Sequence, residues 1–212
     1  GAAVVGGVFK SVALSKLKVN IVGLIGLVEN MPGPSSVRPG DILKSLKGDM
    51  VQVNNTDAEG RLLLGDLLWY AQLQHKPKRI FDLATLTGAI IIALGKEYAG
   101  VFSNNDEFCN SLLKVASKES EGAWRMPLGS AYDKKLKSRL ADIKNVGGRD
   151  AGAITAAQFI QRFIKKDMPW IHIDIAGAAH TKSESTYAPA GATGWGVMTL
   201  NRLVSEKFED NI

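Results

Sequence analysis

Strand-like apolar runs alternate with helix-like stretches along this chain, and this order restricts its fold more than any other feature. Residues 19–28 are almost continuously apolar, which is the pattern of a central strand covered on both faces. Residues 79–84 and 98–103 give two more strand patterns, each beside a predicted helix. The order predicts a layered α/β/α domain with a mixed, largely parallel central sheet.

A further strand is predicted over residues 170–176, where isoleucines alternate with His172 and Asp174. Asp82 lies in the strand pattern over residues 79–84. The sequence leaves two interpretations open for Asp82 and Asp174: they anchor a site, or they face an edge of the sheet.

Helices are predicted from apolar spacing and capping residues. Residues 121–149 are expected to be irregular. The predicted helices cover residues 1–18, 89–94, 106–119, 150–166 and 191–203, with one more around an apolar stripe of Leu64, Leu67, Leu68 and Ala71.

The composition is typical of one folded domain. Of the 212 residues, 45% are hydrophobic and 22% are charged, and the net charge is +5. The densest basic cluster, at residues 134–139, is interpreted as a solvated face, so nucleic acid is not an expected partner. No apolar run reaches the length of about 20 residues that a membrane helix needs, so no membrane partner is expected.

Cysteine and histidine give little evidence of a site by themselves. The single cysteine, Cys109, excludes an intrachain disulfide, which suits a reducing compartment such as the cytoplasm. It lies in a helical pattern and is interpreted as a packing residue. The three histidines lack H-x-x-x-H spacing, and each is interpreted as structural.

A short strand is also predicted at residues 50–53. Three segments lie where predicted strands end, at residues 54–61, 85–88 and 176–180. Ligands of α/β sheets bind beyond the carboxyl ends of strands. In the first segment, Asp57 and Glu59 are two residues apart, a spacing that suits ligands of a metal ion. The alternative is that Asp57 caps the following helix and Glu59 occupies its first turn. Arg61 is either an anion clamp or a member of a surface ion pair.

The run Asn-Asn-Thr-Asp-Ala-Glu-Gly-Arg-Leu at residues 54–62 resembles the N-T-D-A-E-G-R-L signature of the leucyl (cytosol) aminopeptidase family, peptidase family M17. The resemblance covers nearly the whole chain. Further matching segments follow in the family's order at residues 84–89, 141–149, 172–177 and 191–194.

This resemblance implies a two-metal exopeptidase that removes N-terminal residues, often leucine, from peptides. Asp57 is then expected to bind one of two divalent ions, zinc or manganese, through its carboxylate and its backbone carbonyl. Glu59 is expected to bridge both ions. Arg61 is the expected catalytic residue, holding a bicarbonate ion that acts as a base and stabilising the tetrahedral intermediate.

The resemblance also implies the substrate-binding residues. Thr85, Leu86, Thr87 and Gly88 are expected to line the substrate site, with the Leu86 carbonyl accepting a hydrogen bond from substrate. Ala176 is expected to shape the pocket for the first side chain. Members of the family form hexamers, so a homo-oligomer is an expected partner state for the full-length protein.

The start of the chain suggests a piece of a longer protein. Gly1 opens an apolar, helix-like stretch with no capping residue ahead of it. We expect residues 1–212 to be the C-terminal part of the catalytic domain, without the N-terminal domain or the first part of the catalytic domain. The family's remaining ligands, a lysine and two aspartates, and a catalytic lysine lie in that first part. The 212 residues alone are therefore expected to be inactive; the alternative is a metal-free structural or assembly module with the same fold.

Overall fold

The computed structural model describes residues 1–184 and 188–208. In this part of the chain, none of the helices is both long and apolar enough to cross a membrane. The helices are α1 (Ala2–Leu14), α2 (Gly60–Gln74), α3 (Gly88–Leu94), α4 (Asp106–Lys118), α5 (Ser130–Lys134), α6 (Gly152–Gln161) and α7 (Val197–Phe208), with a 3-10 helix at Thr56–Ala58. The strands are β1 (Ile42–Lys44), β2 (Met50–Gln52), β3 (Ile80–Ala84), β4 (Ala99–Ser103), β5 (Ala123–Arg125), β6 (Ile143–Lys144), β7 (Trp170–Asp174), β8 (His180–Thr181) and β9 (Gly191–Ala192).

The chain divides into two compact units. The first consists of Gly1–Ile25, Phe81–Met126 and Pro169–Ile212, and the second of Gly26–Ile80 and Pro127–Met168. The main sheet of the first unit has the order β3-β7-β4-β5, and the sheet of the second has the order β1-β2-β6. In the first sheet β4 is parallel to β5 and antiparallel to β7, and in the second β2 is parallel to β6 and antiparallel to β1. The predicted α/β class with mixed sheets is confirmed.

Helices α1, α4 and α7 cover one face of the first sheet. Leu112 of α4 and Leu203 of α7 are fully buried against Val101 of β4 and Ile173 of β7. The predicted inward residues of α4 are buried because they recur at helical spacing on one side of the helix. The hydrophobic face of each helix is thus matched to one face of the sheet.

The opposite face of the first sheet is buried as well. Every residue of β7 is buried. The alternation of β7 therefore separates two buried faces, one made of isoleucines and one that carries His172 and Asp174. Gly100 of β4 lies so close to Ile90 of α3 that a Cβ at this position would overlap the isoleucine side chain. Glycine at position 100 thus allows α3 to approach the strand.

Cys109 is fully buried in the core of the first unit. Burial raises the pKa of its thiol, the charge of Asp106 raises it further, and Arg125 acts in the opposite direction. A buried thiol with a raised pKa is a poor nucleophile, which agrees with its interpretation as a packing residue.

The second unit packs α2 and α6 over its small sheet. Its core contains Val51, Leu136, Ile143, Phe159 and Phe163. The predicted stripe of α2 is only partly right, because Leu68 alone of its four residues is buried. Position 65 is glycine, and a Cβ there would lie 2.9 Å from the Phe163 ring, so the ring packs directly on the helix backbone. The buried face of α2 is made of Arg61, Gly65, Leu68 and Gln72.

The prediction of a central strand over residues 19–28 is wrong. The structure has neither a helix nor a strand there, and Val22, Leu27 and Val28 are more than half exposed. An apolar run becomes a buried strand only where other strands pair with its backbone. None of the described strands pairs with this segment, so its composition does not translate into sheet structure here.

Other predicted boundaries also differ from the structure. Helices α1 and α6 end at Leu14 and Gln161 rather than at residues 18 and 166. Residues 121–149 contain β5, α5 and β6 rather than irregular chain alone. The last helix begins at Val197 rather than at Gly191, because Gly191, Gly194 and Gly196 have positive φ angles of 123°, 69° and 97°. Such backbone lies outside the right-handed helical region.

Core packing predicts a large difference between two leucines of the first unit. Leu112 is 0% exposed and Leu14, at the end of α1, is 73% exposed. We expect Leu112→Ala to lower the free energy of unfolding by about 2–5 kcal/mol, since it leaves a cavity. The control Leu14→Ala should cost about 0.5 kcal/mol or less. Urea unfolding followed by circular dichroism measures both, and equal losses would contradict this packing of α4.

Candidate functional site

The segment that carries Asp57 and Glu59 is a tight turn between β2 and α2. Asn55 caps it: its backbone is extended, with φ −136°, and its side chain accepts a hydrogen bond from the Asp57 N–H at 3.0 Å. Asn55 rather than Asp57 therefore provides the cap, and α2 begins one residue after Glu59 without a side-chain cap bond. The interpretation of Asp57 as a helix cap is wrong, which leaves its exposed carboxylate for another use.

Glu59 has a different environment from Asp57. The residue is half-buried, and its Oε2 atom is fully buried and accepts no hydrogen bond from the residues that the structure describes. A buried carboxylate oxygen without a partner is costly. Metal coordination is one way to compensate that cost.

A single buried amide holds this turn in place. Asn145 is 0% exposed, and its Oδ1 accepts from the backbone N–H groups of Asn54 at 2.9 Å and Asn55 at 3.3 Å. Its Nδ2 donates to the Asn55 carbonyl at 2.6 Å and to the Ala58 carbonyl at 3.5 Å. In the sequence, Asn145 is notable only as part of a segment that matches the family. Its place in that segment was the available sign of a functional role. The sequence did not indicate its hydrogen-bond partners, because they lie about 90 residues away along the chain.

The side chain of Arg61 is bound to Asn145 as well, through the backbone carbonyl of that residue. It lies in the first turn of α2, is 7% exposed, and donates from Nη1 to the backbone carbonyl of Asn145 at 2.8 Å. The alternative of a surface ion pair does not agree with this burial. An arginine stays charged at neutral pH, so a buried positive charge lies at the start of the helix that follows the two carboxylates.

The carboxylates of Asp57 and Glu59 fit a divalent cation in their chemistry, since hard cations bind oxygen donors. Neighbouring backbone is held rigidly by Asn145, and one buried oxygen of Glu59 has no hydrogen bond within the described residues. In residues 1–184 and 188–208, however, no three His, Cys, Asp or Glu side chains come together as a potential metal site. Asp57 and Glu59 are thus two candidate ligands without a third such side chain beside them in this part of the chain.

The expected substrate residues lie in the first unit, at the ends of β3 and β7. These ends are adjacent, because the Ile175 N–H donates to the Ala84 carbonyl at 2.9 Å. Thr87 is buried and caps α3, with its Oγ1 accepting from the Ile90 N–H at 3.1 Å. Leu86 is half-buried, as is Ala176 after β7, while Thr85 and Gly88 are exposed. The two segments therefore start side by side, and of these five residues only Thr87 is buried.

Asp82 and His172 form a buried polar pair on the same sheet. The His172 ring nitrogen Nδ1 lies 2.6 Å from Asp82 Oδ1, and the indole N–H of Trp170 donates to Asp82 Oδ2 at 2.7 Å. The His172 ring also stacks on Phe102, with 5.8 Å between the ring centroids. Asp82 lies on β3, the end strand of this sheet, but its side chain is buried by these contacts, and the interpretation of His172 as a structural residue agrees with its burial.

The structure groups the predicted residues in two sets. Asp57, Glu59 and Arg61 come together on one turn of the second unit. The four residues 85–88 come together with Ala176 in the first unit, and the carboxylate of Asp174 lies among them.

Comparison with known proteins gives the family. The catalytic-domain model of the cytosol aminopeptidase family matches residues 1–201. The probable cytosol aminopeptidase of Dinoroseobacter shibae is 62% identical over 209 residues, which are 99% of this chain and 43% of that protein. That of Xanthobacter autotrophicus is 56% identical, with coverage of 99% and 42%. The chain thus spans less than half the length of these curated relatives.

Solved structures agree with this match. The bottromycin maturation enzyme BotP has a TM-score of 0.91 and 34% identity, over 97% of this chain and 46% of that chain. A structure of BotP in complex with Mn has a TM-score of 0.80 and 35% identity, over 85% and 40%. A K354E mutant of tomato leucine aminopeptidase has a TM-score of 0.79 and 42% identity, over 84% and 34%. On this evidence the chain belongs to the cytosol aminopeptidase family.

Proposed function

We propose that this chain is part of a two-metal aminopeptidase that removes N-terminal residues, leucine among them, from peptides. The environment of the Glu59 carboxylate is the observation that supports this proposal most directly. Its buried Oε2 has no hydrogen bond within the described residues, and the exposed carboxylate of Asp57 is two residues away. Two divalent cations, zinc or manganese, would supply an activated water and a polarised scissile carbonyl. The BotP structure in complex with Mn supports manganese as one candidate.

Each residue of the turn has a proposed role. Asp57 would hold one cation through its carboxylate, and the carboxylate of Glu59 would be shared by both. Arg61 would hold an anion, bicarbonate, through its guanidinium group and would help to stabilise negative charge that develops on the substrate carbonyl. Burial strengthens this attraction, because fewer water molecules screen the guanidinium charge.

The first unit supplies the proposed substrate contacts. The Leu86 carbonyl accepts a hydrogen bond from the substrate backbone, and Thr85, Thr87 and Gly88 form the wall beside it. Ala176 bounds the pocket for the first side chain.

Further proposals concern the whole protein. We assign residues 1–212 to the C-terminal part of a catalytic aminopeptidase domain, supported by the catalytic-domain match over residues 1–201. The names of the relatives support peptides as substrates and the cytoplasm as location. A hexameric assembly is proposed from the family resemblance alone.

Hydrolysis of leucine p-nitroanilide tests the proposed activity. The protein expressed from its complete reading frame should release nitroaniline with added Zn²⁺ or Mn²⁺. The purified 212-residue chain should not, because its partial ligand set is proposed to need residues from outside it. Turnover by the 212-residue chain near that of the complete product would contradict the partial site. Absence of turnover in both would favour the metal-free structural module.

Substitution of Glu59 tests the role of the turn. Glu59→Gln keeps the size of the side chain and removes its charge, so kcat/KM for the anilide should fall by about 100-fold or more. The matched control is Asp66→Asn, an acid on α2 that accepts from the Leu46 N–H at 2.8 Å. The control should retain activity within about threefold. Equal losses in the two variants would show that Glu59 has no special role.

A further inference from the structure

The carboxylate of Asp174 joins the two proposed substrate segments. Asp174 ends β7 and is 0% exposed. Its Oδ1 accepts from the N–H groups of Leu86 at 3.0 Å, Thr87 at 3.4 Å and Ala176 at 3.2 Å. Its Oδ2 accepts from the Thr87 hydroxyl at 2.7 Å. One side chain thus binds both segments, although Leu86 and Asp174 are 88 residues apart in sequence.

Burial of this carboxylate requires such a set of partners. A carboxylate that is removed from water loses strong hydration, and it is tolerated only where hydrogen bonds replace that hydration. The two oxygens together offer about four acceptor positions, and four donors contact them here. Three of the four donors are N–H groups of irregular backbone, which otherwise have no sheet or helix partner, and the fourth is the Thr87 hydroxyl.

The contacts of Asp174 fix the direction of the Leu86 carbonyl. This carbonyl and the Thr87 N–H belong to one planar trans peptide group, so they point to opposite sides. Asp174 attracts the Thr87 N–H, with the longest of its four bonds, and the Leu86 carbonyl is consequently directed away from the carboxylate. The Thr87 hydroxyl strengthens the arrangement because it also caps α3 through the Ile90 N–H.

We propose that Asp174 is a positioning residue of the substrate site, which sets the selectivity for the first side chain of the peptide by holding residues 86–87 and Ala176 at a fixed separation. The proposal rests on the proposed aminopeptidase function. Asp174 itself does not touch the substrate. It acts through the Leu86 carbonyl and through the wall that Ala176 contributes.

Glu121 provides a matched control. It is 8% exposed, lies in the same unit, and its carboxylate accepts from the N–H groups of Gly196 at 2.8 Å and Thr199 at 2.9 Å. It therefore holds backbone of another segment, the start of α7, in the same chemical way. Loss of Glu121 should destabilise the fold without changing the substrate segments.

The test compares leucine and alanine p-nitroanilides on the product of the complete reading frame. In Asp174→Ala, the ratio of kcat/KM for leucine to that for alanine should fall by about fivefold or more, mainly through a higher KM for leucine. Asp174→Asn should show a smaller fall, because its amide oxygen can still accept from the backbone. Glu121→Ala should lower the melting temperature and leave the ratio within about twofold.

Two kinetic outcomes would contradict the positioning role of Asp174 without contradicting the proposed aminopeptidase function. One is an unchanged ratio with an unchanged KM in Asp174→Ala, and the other is an equal change of the ratio in Glu121→Ala. Failure of the wild-type protein to hydrolyse either anilide is a separate result, and it contradicts the proposed aminopeptidase function.

Amide hydrogen exchange tests the positioning without activity. In Asp174→Ala the amides of Leu86 and Ala176 should exchange about tenfold or more faster than in wild type, while those of Gly196 and Thr199 stay unchanged. Glu121→Ala should give the reverse pattern. Unchanged exchange at Leu86 and Ala176 in Asp174→Ala would overturn the proposal even in a protein without turnover.

Discussion

Backbone groups in the segments that follow strands need hydrogen-bond partners, and two buried side chains supply them in this protein. Asn145 binds the turn that carries Asp57 and Glu59, and Asp174 binds the segments at Leu86 and Ala176. Without such partners, irregular backbone remains close to water and mobile. The arrangement of candidate site residues in each unit therefore depends on one polar side chain.

In the turn of the second unit, side chains other than the two carboxylates bind the backbone groups. Asn145 takes the backbone groups, and Asn55 caps the turn, so neither task falls on the two carboxylates. Within the described part of the chain, Glu59 keeps a buried oxygen without a hydrogen bond, and Arg61 brings a buried positive charge nearby in sequence. Negative ligands for cations and a positive group for an anion are what the proposed two-metal hydrolysis requires.

Features with a local cause could be predicted from the sequence. The spacing of Phe108 and Leu112 identifies α4 and its buried face. The candidate ligands are predicted from the resemblance of residues 54–62 to the family signature, because their spacing alone leaves two interpretations open. Features with a distant cause could not be predicted. The apolar run at 19–28 has the pattern of a strand, yet strand formation depends on pairing with other segments. The roles of Asn145 and Asp174 depend on partners about 90 residues away.

The central claim is that Asp57 and Glu59 bind metal as part of a pair of sites, and metal content measures it most directly. The product of the complete reading frame, purified with Mn²⁺ or Zn²⁺ and freed of loose ions by gel filtration, can be analysed by elemental mass spectrometry. We predict two divalent ions per chain in the wild type and fewer in Glu59→Gln. A wild-type protein that hydrolyses leucine anilide without bound metal, or a Glu59→Gln variant that keeps both ions, would contradict the account.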